Sequence, residues 1–388
     1  MNPVPSSKTP LFAQIKLHTY FGGGEVFACH LAEAASALGG RSLLIVHPKA
    51  KHWSGLSLPD TEILEASNWQ EAVARLPAGV PVIVHAAPPA EVVDDIARSR
   101  PLIGFVHMPL NQFYAETRHT YSRCDRVVGV SRYVMETISA VGLTPWSEPF
   151  YGVANISRLS RGDGLVRASE YEWDRRKVRD RLLGVTEPLW SLLRQRPVLT
   201  RRNGLSLGIV SRLAPIKQFP ELMQWLVPEL LRFDDVYLEI FGAGGYASVR
   251  DLRRVLKPLG DRVRFWGHQT DVAQAYAAID VLLTGLPERE ALGLNVIEAQ
   301  ACGVPVLAPG APPFIETVLP ARTGWLYADP RSGRNTGGYP DFAPTLAQIL
   351  ADRAAGKLLD PRLATDHMKC FSKNEFAQRL ARLLDKLH

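Results

Sequence analysis

Cysteine is scarce. There are four, Cys29, Cys124, Cys302 and Cys370, widely spaced and without a Cys-x-x-Cys pair. That excludes a zinc knuckle or a redox dithiol and points to reduced thiols acting as small hydrophobes in a reducing compartment. Long apolar runs are missing, so no segment reads as a membrane span. The N-terminus, Met-Asn-Pro-Val-Pro-Ser-Ser-Lys-Thr-Pro, lacks the charged-then-apolar pattern of a secretory signal. No Asp-x-Asp occurs, so the paired carboxylates that clamp a divalent ion on a diphosphate are lacking. No Gly-x-Gly-x-x-Gly follows the first apolar run, which disfavours a nicotinamide dehydrogenase; the glycines of Phe241–Gly245 come too late in the chain. Low-complexity tracts and nucleic-acid motifs are absent as well.

What is present is ordinary globular material. Of 388 residues, 46% are hydrophobic and 22% charged, enough apolar mass for two domains. The formal charge of +6 is a dispersed excess that suits anionic partners: nucleotide phosphates, a lipid-linked phosphate or an anionic membrane face, but no nucleic acid. Short apolar runs alternate with helix-length amphipathic stretches. Leu11–Leu17, Ser42–Val46, Val80–Ala86, Leu102–His107 and Arg126–Val130 read as strands in the first half. Leu205–Val210, Val236–Phe241, Arg262–Trp266, Val281–Thr284 and Val304–Ala308 do so in the second. Helices are expected over Glu25–Leu38, from the N-cap Ser131 through Ser139, and over Tyr171–Leu183. Further helices are expected over Glu221–Leu231, Ala247–Leu256, Asp271–Ala278, Ala291–Ala301 and Asn374–Leu387. This alternation predicts an α/β chain with parallel sheets. The linkage falls in the Arg-rich 155–204 segment. That gives an N-terminal domain over 1–195, with the final helix (373–388) packing back on it, and a C-terminal domain over 200–370.

The richest segment is Asp280–Leu307. Glu290 and Glu298 have seven residues between them, with Glu290 just before the expected helix and Glu298 two turns along nearly the same face. Each acid can hold a diol, and the free N–H groups of Ala291, Leu292, Gly293 and Leu294 make an anion site at a helix start. Gly293 lets a ligand approach the backbone. Taken alone, Glu290 as a cap and Glu298 as a solvated residue is the commoner arrangement. However, the apolar neighbours Val296, Ile297 and Ala299 leave a charge at 298 in need of a partner. In GIVSRLAPIKQF, Arg212 and Lys217 straddle a strand-to-helix turn, a planar fork and a point charge for phosphate oxygens.

These segments together resemble the C-terminal domain of glycosyltransferase family 4, retaining enzymes of GT-B fold. The matching marks are Arg212 and Lys217 in SRL…K, FGAGG at Phe241–Gly245, FWGHQTDV at Phe265–Val272, Glu290 to Ala299, and ACGVPVLA at Ala301–Ala308. The resemblance implies two Rossmann-like domains with parallel sheets facing a central cleft. It implies a nucleotide-sugar donor, a UDP- or GDP-sugar, whose diphosphate meets Arg212 and Lys217, with Gly242 also among the donor-binding residues. Glu290 would contact the donor sugar, Glu298 the ribose, and the Gly267–His268 turn the base. The first half resembles the family's N-terminal domain more loosely. Gly23 and Gly24 fit its glycine loop, and His107 its strand-end histidine. The segment departs from the family at Leu286-Pro287-Glu288-Arg289 and at Gly310–Glu316.

The function implied is a retaining, metal-independent transfer to a glycan or lipid-linked sugar acceptor, with no cofactor. Arg212, Lys217, Glu290 and His107 form the catalytic set. The expected setting is surface polysaccharide or lipopolysaccharide synthesis, in the cytoplasm and at the inner face of the membrane. His107, Tyr114, Arg118, His119, Tyr121 and Arg123 form a basic and aromatic cluster for a sugar-phosphate or a lipid surface, or an ordinary helix face. A nucleotide-sugar epimerase, or a non-catalytic nucleotide-sugar-binding subunit of the same fold, is the alternative.

Overall fold

The computed structural model describes residues 9–19, 22–110, 115–154, 197–287, 290–331, 338–385 and 387, with a few more between 166 and 189. The chain divides into two compact units, residues 1–154 with 369–388, and residues 155–368. The first unit therefore ends earlier than 195. The reason is local: Val166 packs in the core of the second unit, and Arg167 forms a bridge with Val198. The helix expected over Tyr171–Leu183 lies almost entirely outside the described residues.

The N-terminal unit carries β1 (Phe12–Lys16), β2 (Ser42–Val46), β3 (Thr61–Glu65), β4 (Val82–Val84), β5 (Leu102–Val106) and β6 (Arg126–Gly129). They form a six-stranded sheet of order β3-β2-β1-β4-β5-β6, and every recorded pairing is parallel. Strands covered on both faces are mostly apolar, and β1, β2 and β5 are buried at all five positions. At the edge, β3 is half exposed and carries Glu62 and Glu65, so its signal is weak in the sequence.

Helices α1 (Gly23–Ala37), α2 (Trp69–Ala74), α3 (Ala90–Ala97), α4 (Ala115–Ser122) and α5 (Arg132–Ala140) connect the strands. Gly39, at φ +73°, ends α1, and the Ser131 hydroxyl accepts from the Val134 N–H to start α5. The last helix of the chain, Lys373–Leu384, lies on α1. Phe376 meets Phe27 and Phe150 edge-on at 5.3 and 4.9 Å, and Lys373 pairs with Glu33 at 2.9 Å.

The second unit repeats the topology with β7 (Leu205–Val210), β8 (Val236–Phe241), β9 (Val263–Gly267), β10 (Val281–Leu283), β11 (Val306–Pro309) and β12 (Gly324–Tyr327). Their order is β12-β11-β10-β7-β8-β9, again parallel. Its principal helices are α6 (Phe219–Leu230), α7 (Tyr246–Leu256), α8 (Val272–Ala277), α9 (Leu294–Ala301), α10 (Phe314–Thr317) and α11 (Phe342–Ala354). Both sheets have the doubly wound order of a Rossmann-like domain, in which the connections reverse direction beside the first strand. Ligands of such sheets bind outside the carboxyl ends of the strands at that reversal. In the first unit it lies between β1 and β4, and in the second between β7 and β10. Among the described residues no helix is long and apolar enough to cross a membrane.

Candidate active site

The second unit places Arg212 on the loop leaving β7 and Glu290 on the loop leaving β10, the two strands that flank the reversal. Lys217 closes a short 3-10 turn, Pro215–Lys217, after Arg212. Gly285 seats that turn, because a side chain there would meet the Lys217 carbonyl at 3.1 Å. Lys217 Nζ donates to Glu290 Oε2 at 2.5 Å, and both side chains are half-buried. Glu290 Oε1 accepts from the backbone N–H groups of Gly293 at 3.2 Å and Ala291 at 3.3 Å. Arg212 is exposed and has no ion-pair partner among the described residues.

The helix itself starts later than its sequence suggests, at Leu294 rather than Ala291. Gly293 has φ +81°, a left-handed backbone that interrupts helical geometry and requires glycine. Ala291 and Leu292 are therefore a buried lead-in, and two of the N–H groups expected to await an anion are already engaged by Glu290. The acid is thus both a cap and a held carboxylate. Leu294 is the first helical residue, and the Asn295 amide ties that turn to the end of β7 by donating to the Val210 carbonyl at 3.2 Å.

Glu298 is half-buried within α9. Tyr276, fully buried, donates its hydroxyl to Glu298 Oε2 at 3.0 Å. Burial raises the Glu298 carboxyl to about 7, with the tyrosine bond opposing the shift in part. Neither Tyr276 nor Asn295 stands out in the sequence. Each looks like an ordinary helix residue until the fold brings Tyr276 to the acid and Asn295 to the end of β7.

The glycine motif after β8 has a packing explanation. A side chain at Gly242 would meet the Ser211 carbonyl at 1.8 Å, and one at Gly244 the Leu213 carbonyl at 2.4 Å. The Gly242 N–H donates to the Gly267 carbonyl at 2.7 Å, and the Leu213 N–H to the Ala243 carbonyl at 2.8 Å. The ends of β7, β8 and β9 are thereby locked together, fixing the backbone that carries Arg212. Gly267 has φ +70°, and His268 beside it is exposed. A cavity of about 300 Å³ lies nearby, lined by Leu213, Gln218, Glu221 and Asp251 among others, but none of the expected donor residues lines it.

The N-terminal unit gathers a second polar group at its own reversal. Lys16 ends β1, His85 follows β4 and His107 follows β5. Lys16 Nζ and Glu25 Oε1 pair at 2.9 Å with only 5% and 3% of their side chains exposed. Gly24 leaves room for that ammonium, since a side chain there would lie 2.9 Å from Nζ; Gly23, next to it, is exposed at the start of α1. Burial lowers the Lys16 ammonium from its usual range, against the pull of Glu25. His85 Nδ1 and His107 Nε2 lie 2.8 Å apart, and His85 Nε2 is 2.9 Å from Gln14 Oε1. Burial, with Lys16 second, brings His107 down to about 3 and holds His85 well below its ordinary value. Sequence reasoning found His107 but missed Gln14, Lys16, Glu25 and His85. The available signal was Gln14 and Lys16 inside an apolar strand, where polar groups need partners.

The expected basic cluster after His107 does not form one site. The Tyr121 side chain is in the core, with its hydroxyl 3.4 Å from the Phe105 carbonyl. Asp94 holds Arg123 at 2.6 Å and lies 3.9 Å from His119. Arg118 lies beside Gly142, and Tyr114 is outside the described residues.

The chain is similar to known proteins. Residues 204–336 match the family model described as Glycosyl transferases group 1. The chain is 36% identical over 121 residues to a GDP-mannose-dependent monoacylated alpha-(1-6)-phosphatidylinositol monomannoside mannosyltransferase of Corynebacterium glutamicum, covering 29% of this chain and 31% of that one. It is 32% identical over 216 residues to a GDP-mannose-dependent alpha-mannosyltransferase of Mycolicibacterium smegmatis, covering 55% and 47%. The chain thus spans less than half the length of these curated relatives. Anabaena HepE, solved in complex with UDP, matches over 96% of this chain and 99% of its own with a TM-score of 0.67 at 18% identity, a likeness of fold. Residues 204–336 therefore match the Glycosyl transferases group 1 family, and the chain as a whole has the GT-B fold of two Rossmann-like domains that HepE shares.

Proposed function

We propose that the chain transfers a sugar from a nucleotide-diphosphate donor to a glycan or lipid-linked acceptor, with retention and without a metal ion. The observation that carries this reading is the convergence of Arg212, Lys217 and Glu290 at the strand reversal of the second unit. Lys217 and Glu290 position one another, leaving ammonium protons for phosphate oxygens and carboxylate lone pairs for sugar hydroxyls. Arg212 adds a planar fork for the diphosphate, and Glu298 accepts from the ribose hydroxyls. Gly267 and His268 border the base, while Gly23, Gly24 and His107 serve the substrates from the first unit.

In the reaction, the bond from the anomeric carbon to the donor phosphate oxygen breaks, and the diphosphate departs with the electron pair. The acceptor oxygen bonds to the same face of that carbon, and its proton passes to the departing phosphate. Charge builds on the diphosphate, so preorganised cations are the main catalytic resource. The sequence holds no Asp-x-Asp to clamp a metal there, which supports a design that relies on Arg212 and Lys217.

GDP-mannose is the first donor to test, because both curated relatives described above use it by name. The phosphatidylinositol mannoside named for one of them supports a lipid-linked acceptor, and the net charge of +6 suits an anionic membrane face. The scarcity and wide spacing of cysteine supports a reducing, cytoplasmic setting, and surface glycan synthesis is the process that joins these features. Thermal shift against GDP-, UDP- and ADP-sugars is the direct test. At a hundred-fold excess over Kd, a true donor adds about 2.7 kcal/mol to the folded state. If none of the three classes at millimolar concentration moves the transition, the reading is wrong.

A further inference from the structure

The polar chain in the first unit determines a tautomer. Gln14 Nε2 donates to the Ala28 carbonyl at 3.2 Å, so Gln14 Oε1 is the atom turned to His85. A carbonyl oxygen brings no proton, and the proton of that bond therefore sits on His85 Nε2. A buried neutral His85 then carries a lone pair on Nδ1, which accepts from His107 Nε2–H at 2.8 Å. In the neutral ring of His107, Nδ1 is left with its lone pair, and no described residue donates to it. The neighbouring rings hold the plane: His85 and His107 stack with centroids 5.1 Å apart, and Phe27 meets His107 edge-on at 5.0 Å. The paired Lys16 and Glu25 complete the charged surroundings.

We propose that Gln14 and His85 are positioning residues that lock His107 in its Nε2–H tautomer, presenting Nδ1 as a fixed hydrogen-bond acceptor for a hydroxyl of the sugar substrate. This rests on the transferase reading above. The role is acceptance without proton transfer, and it selects a substrate bearing a hydroxyl donor at that point over one that is deoxygenated there. Sites built to pair a hydroxyl discriminate strongly, because the unmatched group is otherwise left unsatisfied.

The test uses the full chain labelled with nitrogen-15 histidine. Two-bond proton–nitrogen correlation at neutral pH is expected to show His107 with a protonated Nε2 and a bare Nδ1. In His85→Phe the His107 tautomers should mix, with kcat/KM falling about 10- to 100-fold, as when an orienting partner is removed elsewhere. His85→Asn places a carbonyl oxygen where Nδ1 stood and should restore both the tautomer and most of the activity. Gln14→Leu should give an intermediate loss, and it carries the test if His85→Phe does not fold. A native His107 with its proton on Nδ1 overturns the proposal, as does a mixed tautomer in His85→Phe with unchanged kcat/KM. If the lock is present but no nucleotide sugar binds the native protein, the transferase reading falls and the hydroxyl role with it.

Discussion

Lys217 and Glu290 lie 73 positions apart in sequence, yet Nζ and Oε2 meet at 2.5 Å between the loops that leave two adjacent strands, β7 and β10. A half-exposed ion pair of this kind contributes about 1 kcal/mol or less to stability. Its geometry is therefore better explained by the chemistry it arranges than by the fold it supports.

The first prediction separates those two roles. Glu290→Gln and Lys217→Ala should each leave the melting temperature nearly unchanged while lowering kcat/KM for donor turnover about 100- to 1,000-fold. The double variant should cost much less than the product of the two, because each single change already disables the other residue. A melting profile and steady-state kinetics decide it. Turnover within threefold of wild type in Glu290→Gln would remove that acid from the reaction.

The second concerns Glu298. Its carboxyl stands at about 7 in the folded chain against an ordinary 4.5, so the folded state holds the proton more tightly. Stability is then fully present below pH 4.5 and declines as pH rises towards 7, the reverse of a salt-bridged acid. Glu298→Gln keeps an acceptor for the Tyr276 hydroxyl and should abolish that decline, gaining on the order of 3 kcal/mol at pH 8 and almost nothing at pH 4. Ribose hydroxyls favour the ionised acid, so nucleotide binding should release a proton near pH 7. Calorimetry in two buffers of different ionisation enthalpy measures this release. Equal heats in both buffers would count against the ribose contact.

Much of this was legible in the sequence and some was not, for physical reasons. Fully buried strands such as Ser42–Val46 and Leu205–Val210 announce themselves by continuous apolar runs. The edge strand Thr61–Glu65 does not, because half its surface is wet and two of its five residues are acids. Glu290, Arg212 and Lys217 were visible because strand-end loops collect there in order. The start of α9 was misplaced because Gly293 reads equally well as a ligand-approach residue or a backbone break, and only its φ of +81° decides. Tyr276 and His85 reach their partners, Glu298 and His107, through contacts 22 positions apart, which no local pattern encodes.

Gly242 gives a third prediction. With φ +138° and the Ser211 carbonyl 1.8 Å from where a side chain would begin, Gly242→Ala cannot be accommodated without moving the β7 loop. Backbone strain of this kind costs of order 1–3 kcal/mol. Arg212 sits on the displaced segment, so donor affinity should weaken along with stability. Gly245→Ala is the control, since nothing lies within 4 Å of its side-chain position and its φ of −60° suits alanine. Equal melting temperatures for the two variants would refute the packing account.

The last prediction concerns Glu239, a buried acid on β8 that serves structure alone. It accepts from the Trp266 indole at 2.6 Å and from the Arg264 guanidinium, whose own plane lies 5.1 Å from the Trp266 ring. Arg264 also donates to the Thr200 carbonyl at 3.0 Å, tying the segment that leads into β7 to β9. Removing the acid leaves a partly buried cation and a buried indole N–H without their acceptor, so Glu239→Ala should cost about 3 kcal/mol. Glu239→Gln retains an acceptor for one of the two and should cost less. Because the group lies on the strand body and not at the carboxyl end where Arg212 and Glu290 emerge, kcat per folded molecule should stay close to wild type. Urea denaturation with turnover normalised to the folded fraction reads both quantities. A large fall in normalised kcat in Glu239→Gln would mean that the β8–β9 pairing reaches the reaction through Gly242 and Gly267.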